Sequence, residues 1–138
     1  MIKQHPFQYE EWPDDSALSE SDRSLLQEAR QVTELAYAPY SNFQVGAAAR
    51  LSNGQIVIGA NQESASFPVG VCAERALLNS VGSQFPSLTI STMAISYQPV
   101  GKDSKEPISP CGMCRQSLLD FENRYGAPIK IILAGIQG

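Results

Sequence analysis

Three cysteines and one glutamate carry the chemistry that this sequence can do. Cys111 and Cys114 stand three residues apart in Pro110-Cys111-Gly112-Met113-Cys114-Arg115-Gln116, and the only other cysteine, Cys72, precedes Glu74 by two positions. A C-x-x-C pair by itself serves two chemistries. Two thiolates one helical turn apart can fill two corners of a zinc tetrahedron, whereas a first thiol acidified at a helix N-terminus serves disulfide exchange. Plain buried thiols are the third reading. Cys72 favours the metal, because three protein ligands leave zinc a fourth position for water, the arrangement of catalytic rather than structural sites. The sole histidine, His5, falls in an irregular N-terminal stretch and reads as an exposed surface residue, a poor fourth ligand. Glu74, in the first turn of a helix that starts near Cys72, can point at that water without ligating the metal and so move its protons. Alone, it would read only as a favourable charge at a helix dipole.

Three thiolates outweigh the charge of Zn²⁺ and weaken it as a Lewis acid. Two features answer this. Both cysteine segments sit at helix N-termini, where partial positive charge gathers, and Arg75 and Arg115 directly follow Glu74 and Cys114. The expectation is that at least one guanidinium, Arg75 first, hydrogen-bonds a ligand thiolate. The alternative is a solvated surface arginine.

The elements that must position these residues follow from periodicity. Leu25, Ala29, Val32 and Ala36 recur on one face of a helix from about Asp22 to Ala38, capped by Ser19 or Ser21 and stopped by Pro39. Val45 to Leu51 and Gln55 to Ala60 are β-rich runs joined by Ser52-Asn53-Gly54, a hairpin turn. The small residues Gly46 to Ala49 call for something packed closely on that strand. After the loop 61–71, a helix runs from near Cys72 to about Val81 and ends at Gly82. A strand over 88–97, a charged loop to Ser109, a helix over 111–125 ended by Gly126, and a strand over 129–134 complete the order. Strand, helix and strand form a βαβ unit, so its two strands should be parallel. The architecture is α/β, a three-layer α/β/α sandwich around a mixed sheet. Residues 1–17 form an irregular arm whose Phe7, Tyr9 and Trp12 are expected to lie on the body of this or a neighbouring subunit, with a frayed terminus as the alternative. Residues 18–138 are expected to form a single domain, the one that would carry the catalytic residues.

With 138 residues, 43% hydrophobic and 17% charged, the chain suits one ordinary globular core. A net charge of −4 without a basic block disfavours a surface for long nucleic acid and suits a small uncharged polar substrate. No apolar run is long enough to span a bilayer, and Met1 to Pro6 lacks an apolar signal core. An odd cysteine count argues against a disulfide framework. Reduced thiols in the cytoplasm are the expectation.

C-x-E followed by P-C-x-x-C resembles the signature of zinc nucleobase deaminases in its all-cysteine form. Beyond it, four ordered segments are similar to the cytidine deaminases that act on free nucleosides: 38–48, 59–65, 71–75 and 109–116. The resemblance implies zinc on Cys72, Cys111 and Cys114. It implies that Glu74 takes a proton from the attacking water, passes it to ring N3 and later helps protonate leaving ammonia. Asn61 and Glu63 resemble the pair that hydrogen-bonds the ribose hydroxyl, with turn chemistry as the plainer role. Phe43 resembles the aromatic that packs against the pyrimidine, with core packing as its alternative. The backbone N–H groups of Ala73 and Cys111 match those that face the substrate's ring oxygen and the metal-bound oxygen. The implied reaction turns cytidine and 2′-deoxycytidine into uridine and 2′-deoxyuridine in pyrimidine salvage, and the implied assembly is a homotetramer. Two departures stand out. Phe67 replaces a frequent tyrosine, and the sequence stops at Gly138, where such proteins usually continue through a further strand and a helix that closes a neighbour's site. The C-terminus is thus expected to be shortened relative to the family. Competing readings are a deaminase of another aminopyrimidine nucleoside, a thiol oxidoreductase using Cys111 and Cys114, and a non-catalytic zinc module.

Overall fold

The structure, a computed structural model, describes all 138 residues. Ser19 opens α1 (Glu20–Val32) by accepting a hydrogen bond from the Asp22 N–H at 3.2 Å, which satisfies one free donor of the first turn. The helix ends earlier than its apolar period suggests. Thr33 Oγ donates to the Arg30 carbonyl at 2.7 Å, residues Thr33–Leu35 tighten into a 3-10 turn, and Ala36 is already extended. Pro39 is not what stops it. The backbone of Tyr37 instead pairs with the chain around Gln62, through bonds of 2.9 and 2.8 Å to Asn61 and Glu63, and that pairing outcompetes two further helical turns.

Strands β1 (Phe43–Leu51) and β2 (Ile56–Ala60) form the expected hairpin, with Gly54 at φ 88° in its turn. Strand β3 (Ile90–Pro99) runs antiparallel to β1, and β4 (Lys130–Leu133) runs parallel to β3, so the mixed sheet has the order β2-β1-β3-β4. Alternation along the strands sorts the two faces. Ala48, Ala94 and Ile132 pack with α1, while Ala47, Ala49, Met93 and Ile95 pack under α2 (Ala73–Gln84) and α3 (Gly112–Tyr125). This is the three-layer sandwich read from the sequence.

Small residues allow the layers to touch at the backbone. A Cβ on Gly46 would come within 2.3 Å of the Ala29 carbonyl oxygen, and one on Gly59 within 2.5 Å of the Ala73 oxygen. The first contact seats α1 and the second seats the start of α2. Helix α2 does not end at Gly82. It continues to Gln84 and closes with the Phe85 N–H on the Val81 carbonyl, because the buried faces of Leu78 and Val81 outweigh a helix-interior glycine. Gly126, left-handed at φ 64°, does end α3.

On the α1 face, buried Asp22 ties three elements together. Its carboxylate accepts from Arg50 of β1 at 3.1 Å and from Lys130 of β4 at 2.8 Å. Residues 1–12 form no regular element, and Asp15–Ala17 makes one 3-10 turn anchored by the Asp15–Arg30 ion pair at 2.7 Å. Phe7, Tyr9 and Trp12 are exposed rather than lying on the body of this chain; Phe7 and Tyr9 stack on each other. No helix is long and apolar enough to cross a membrane.

Candidate active site

Both helices on one face of the sheet begin at a cysteine. Cys72 is the N-cap of α2 and Cys111 that of α3, and Cys114 lies one turn into α3, buried at 1% exposure. The parallel β3–α3–β4 crossover and the contact of Gly59 with α2 bring the two N-termini together. The three Sγ atoms lie within 4.8 Å of one another, with Cys72 to Cys111 at 3.9 Å and Cys111 to Cys114 at 3.4 Å. Sulfurs about 2.3 Å from a tetrahedral zinc stand about 3.8 Å apart, so the triangle fits that ion.

The thiols are not equivalent. The backbone N–H of Cys114 is the largest influence on the Cys111 thiol and, against the cost of burial, lowers it. Burial is the largest effect on Cys72 and on Cys114 and raises both, and the charge of Glu74 raises them further. Glu74 is buried at 5% exposure in the first turn of α2, two residues after the Cys72 N-cap, and is not one of the three converging ligand groups.

Neither arginine donates to a thiol here. Arg115 Nε gives its hydrogen bond to the Pro110 carbonyl at 2.9 Å, which braces the loop entering α3. Arg75 is half-buried and makes no hydrogen bond. The positive potential near the sulfurs therefore comes from the two helix N-termini.

The remaining residues singled out in the sequence assemble around the end of β1. Gln62 pairs with Val71, directly before Cys72, which sets the 61–63 loop beside the stem of α2. The Asn61 amide clamps β1, accepting from the Val45 N–H at 2.8 Å and donating to the Phe43 carbonyl at 2.9 Å. Glu63 accepts from the N–H groups of Tyr40 and Ser41 and from the Ser41 hydroxyl. The Ser41 hydroxyl holds the Glu63 carboxyl below its usual range, against a small opposing cost of burial, with the two N–H bonds helping. Ser41 Oγ also accepts from the Phe43 N–H at 3.1 Å, and Asn42 takes the left-handed conformation at φ 55° that asparagine tolerates. Phe43, half-buried, stacks on Tyr97 with ring centroids 5.3 Å apart. Phe67 is exposed.

Ser41, bonded to Glu63 and Phe43, and Tyr97, stacked on Phe43, are contacts that the sequence reading did not single out. Ser41 was legible as part of a Pro39-Tyr40-Ser41-Asn42 turn. Tyr97 carried no signal beyond the end of a strand.

Three thiols with one corner of a tetrahedron to spare, and a carboxylate held beside them, are the equipment of a hydrolytic zinc enzyme on a deaminase-type α/β/α sandwich. The chain belongs to the family described as the cytidine and deoxycytidylate deaminase zinc-binding region, whose model matches residues 19–125. It is 38% identical over 114 residues to a cytidine deaminase of Halalkalibacterium halodurans, covering 83% of this chain and 80% of that protein. It is also 38% identical over 101 residues to a cytidine deaminase of Mycoplasma genitalium, covering 72% of each. Among solved structures, cytidine deaminase from Burkholderia pseudomallei superposes with a TM-score of 0.70 at 34% identity, covering 84% of this chain and 86% of that one.

Proposed function

We propose that this protein hydrolyses cytidine and 2′-deoxycytidine to uridine and 2′-deoxyuridine with release of ammonia. The observation that carries the reading is the convergence of Cys72, Cys111 and Cys114 on one point with Glu74 buried beside them. The three thiolates would hold zinc, which when bound supplies the Lewis acidity that makes water a nucleophile at neutral pH.

The chain's own residues do the rest. Glu74 accepts the proton of the attacking water and delivers it to ring N3 as C4 becomes tetrahedral. It then carries the second proton to the departing amino group, so water adds and ammonia leaves with the charge balanced. Phe43 packs against the pyrimidine, Asn61 and Glu63 hold the ribose hydroxyl, and the N–H groups of Ala73 and Cys111 face the polarised oxygens at the two helix starts. The lone pairs that Asn61 and Glu63 do not spend on the 38–45 segment are the ones available to a sugar. The reading places the enzyme in cytoplasmic pyrimidine salvage as a homo-oligomer, a tetramer by likeness to the family, with residues 1–17 as an arm on one catalytic domain. Light scattering on the eluted peak tests the assembly.

The decisive measurement pairs metal content with loss of cytidine absorbance in wild type and Glu74→Gln. About one zinc per chain in both, with turnover in wild type alone, is the expected result. Wild-type silence on cytidine and deoxycytidine overturns the reading.

A further inference from the structure

Phe43 can orient a base only if its own ring is held, and the contacts of Tyr97 point to how. Strand register sets Val45 opposite Tyr97 and Phe43 opposite Pro99, so the two rings lie diagonally on one face of the sheet, the face that carries α2 and α3. They are nearly parallel, with an interplanar angle of 15° and centroids 5.3 Å apart. Tyr97 itself cannot swing. It is buried at 8% exposure, and its hydroxyl donates to the Glu106 carbonyl at 2.6 Å.

Glu106 lies in the loop that runs from β3 into Pro110-Cys111. One side chain therefore touches both the aromatic at the end of β1 and the segment that delivers two of the three thiols. Tyr97 stacks on one face of Phe43, whose ring is otherwise only half-buried.

We propose that Tyr97 is a positioning residue for the pyrimidine: a fixed shelf, anchored on Glu106, that holds Phe43 at the angle the base meets. The inference rests on the reading of Phe43 as the base-packing aromatic. Tyr97 does not touch the reacting atoms, so its effect falls on substrate binding.

The test is a double-mutant cycle on cytidine kinetics with Phe43→Ala, Tyr97→Leu and the pair, with Tyr97→Phe as the conservative variant. Losing an aromatic pair contact corresponds to about a two- to ten-fold change in affinity. Tyr97→Leu should raise KM by that factor with kcat nearly unchanged and zinc content intact. Tyr97→Phe, which keeps the ring and loses the anchor on Glu106, should raise KM by less than Tyr97→Leu does. The double variant should be no worse than Phe43→Ala, since the shelf has nothing left to hold. If Tyr97→Leu does not fold, Tyr97→Met takes its place in the cycle. Unchanged KM in the Tyr97 variants while Phe43→Ala raises it, or strict additivity in the cycle, overturns the shelf and leaves the base-packing role of Phe43 standing. Unchanged KM in Phe43→Ala overturns both.

Discussion

The Asn61 side chain holds Phe43 by its backbone: the amide nitrogen donates to the Phe43 carbonyl at 2.9 Å while its oxygen takes the Val45 N–H at 2.8 Å. A residue at the end of β2 thus sets where β1 begins, and with it where the Phe43 ring stands. Asn61→Asp keeps the acceptor but replaces the donor with a charged oxygen facing a carbonyl. An unsatisfied, partly buried group costs about 1–3 kcal/mol. The expected outcome is a lower melting temperature together with a raised KM for cytidine, read by thermal melts and steady-state assays. A melting curve identical to wild type would show that the clamp carries no strain-bearing role.

Gly59 controls the other half of the site. Its missing side chain lets α2 approach until the Ala73 oxygen and the Leu77 nitrogen would sit 2.5 and 2.7 Å from an added Cβ. Both obstacles are helix backbone, so Gly59→Ala must push α2 outward. Overpacking of this kind costs about 1–3 kcal/mol, and here the displaced helix begins at Cys72 and Glu74. Zinc per chain should fall along with stability, measured by metal analysis and calorimetry. Full zinc occupancy with a normal melt would mean that the helix has slack the packing does not reveal.

Legibility in the sequence followed how local each determinant was. Hairpin, βαβ order, the Ser19 cap and the Gly126 stop were readable because turn chemistry and period act over a few residues. The cysteine triangle was readable because Cys72 and Cys111 mark the two helix starts and Cys114 follows one turn after Cys111. The errors came from tertiary competition. Helix α1 gives way at Val32 because Tyr37 finds backbone partners at Asn61 and Glu63, more than twenty residues downstream. Helix α2 passes through Gly82 because the buried Leu78 and Val81 ahead of it hold the turn, and the Phe85 N–H closes it on the Val81 carbonyl. The Arg115 guanidinium turns to the Pro110 carbonyl and not to a thiol, a choice that no spacing rule encodes. Tyr97 was silent because a stack needs two strands in register before it exists.

Acid should weaken the fold partly through Asp22. Burial alone would raise its carboxyl, but the hydrogen bonds from Lys130 and Arg50 outweigh that cost and leave it below its ordinary value. A carboxyl depressed in the folded state contributes stability that is fully present above its unfolded pKa of about 3.9 and is lost as pH falls through the folded value. Asp22→Asn should therefore cost about 1–2 kcal/mol near neutral pH, and the gap to wild type should close below about pH 4. Denaturant melts of both proteins across that range give the difference directly. A gap that stays constant down to pH 3 would assign the effect of Asp22 to packing and not to its charge.

Gly82 offers a stabilising change at a position the active site does not use. It lies inside α2 with ordinary helical φ, and an added Cβ would meet only the tip of the Arg124 side chain at 3.5 Å, ordinary van der Waals contact with a group that can move. Glycine in a helix interior is about 1 kcal/mol less favourable than alanine, because its backbone has more freedom to lose. Gly82→Ala removes that cost without a clash. The melting temperature should rise by about 3–5 °C with kcat and KM for cytidine unchanged, since Cys72 and Glu74 stand more than two turns away at the opposite end of the helix. A fall in melting temperature would mean that the α2–α3 groove around Arg124 is tighter than the open contact at Gly82 indicates.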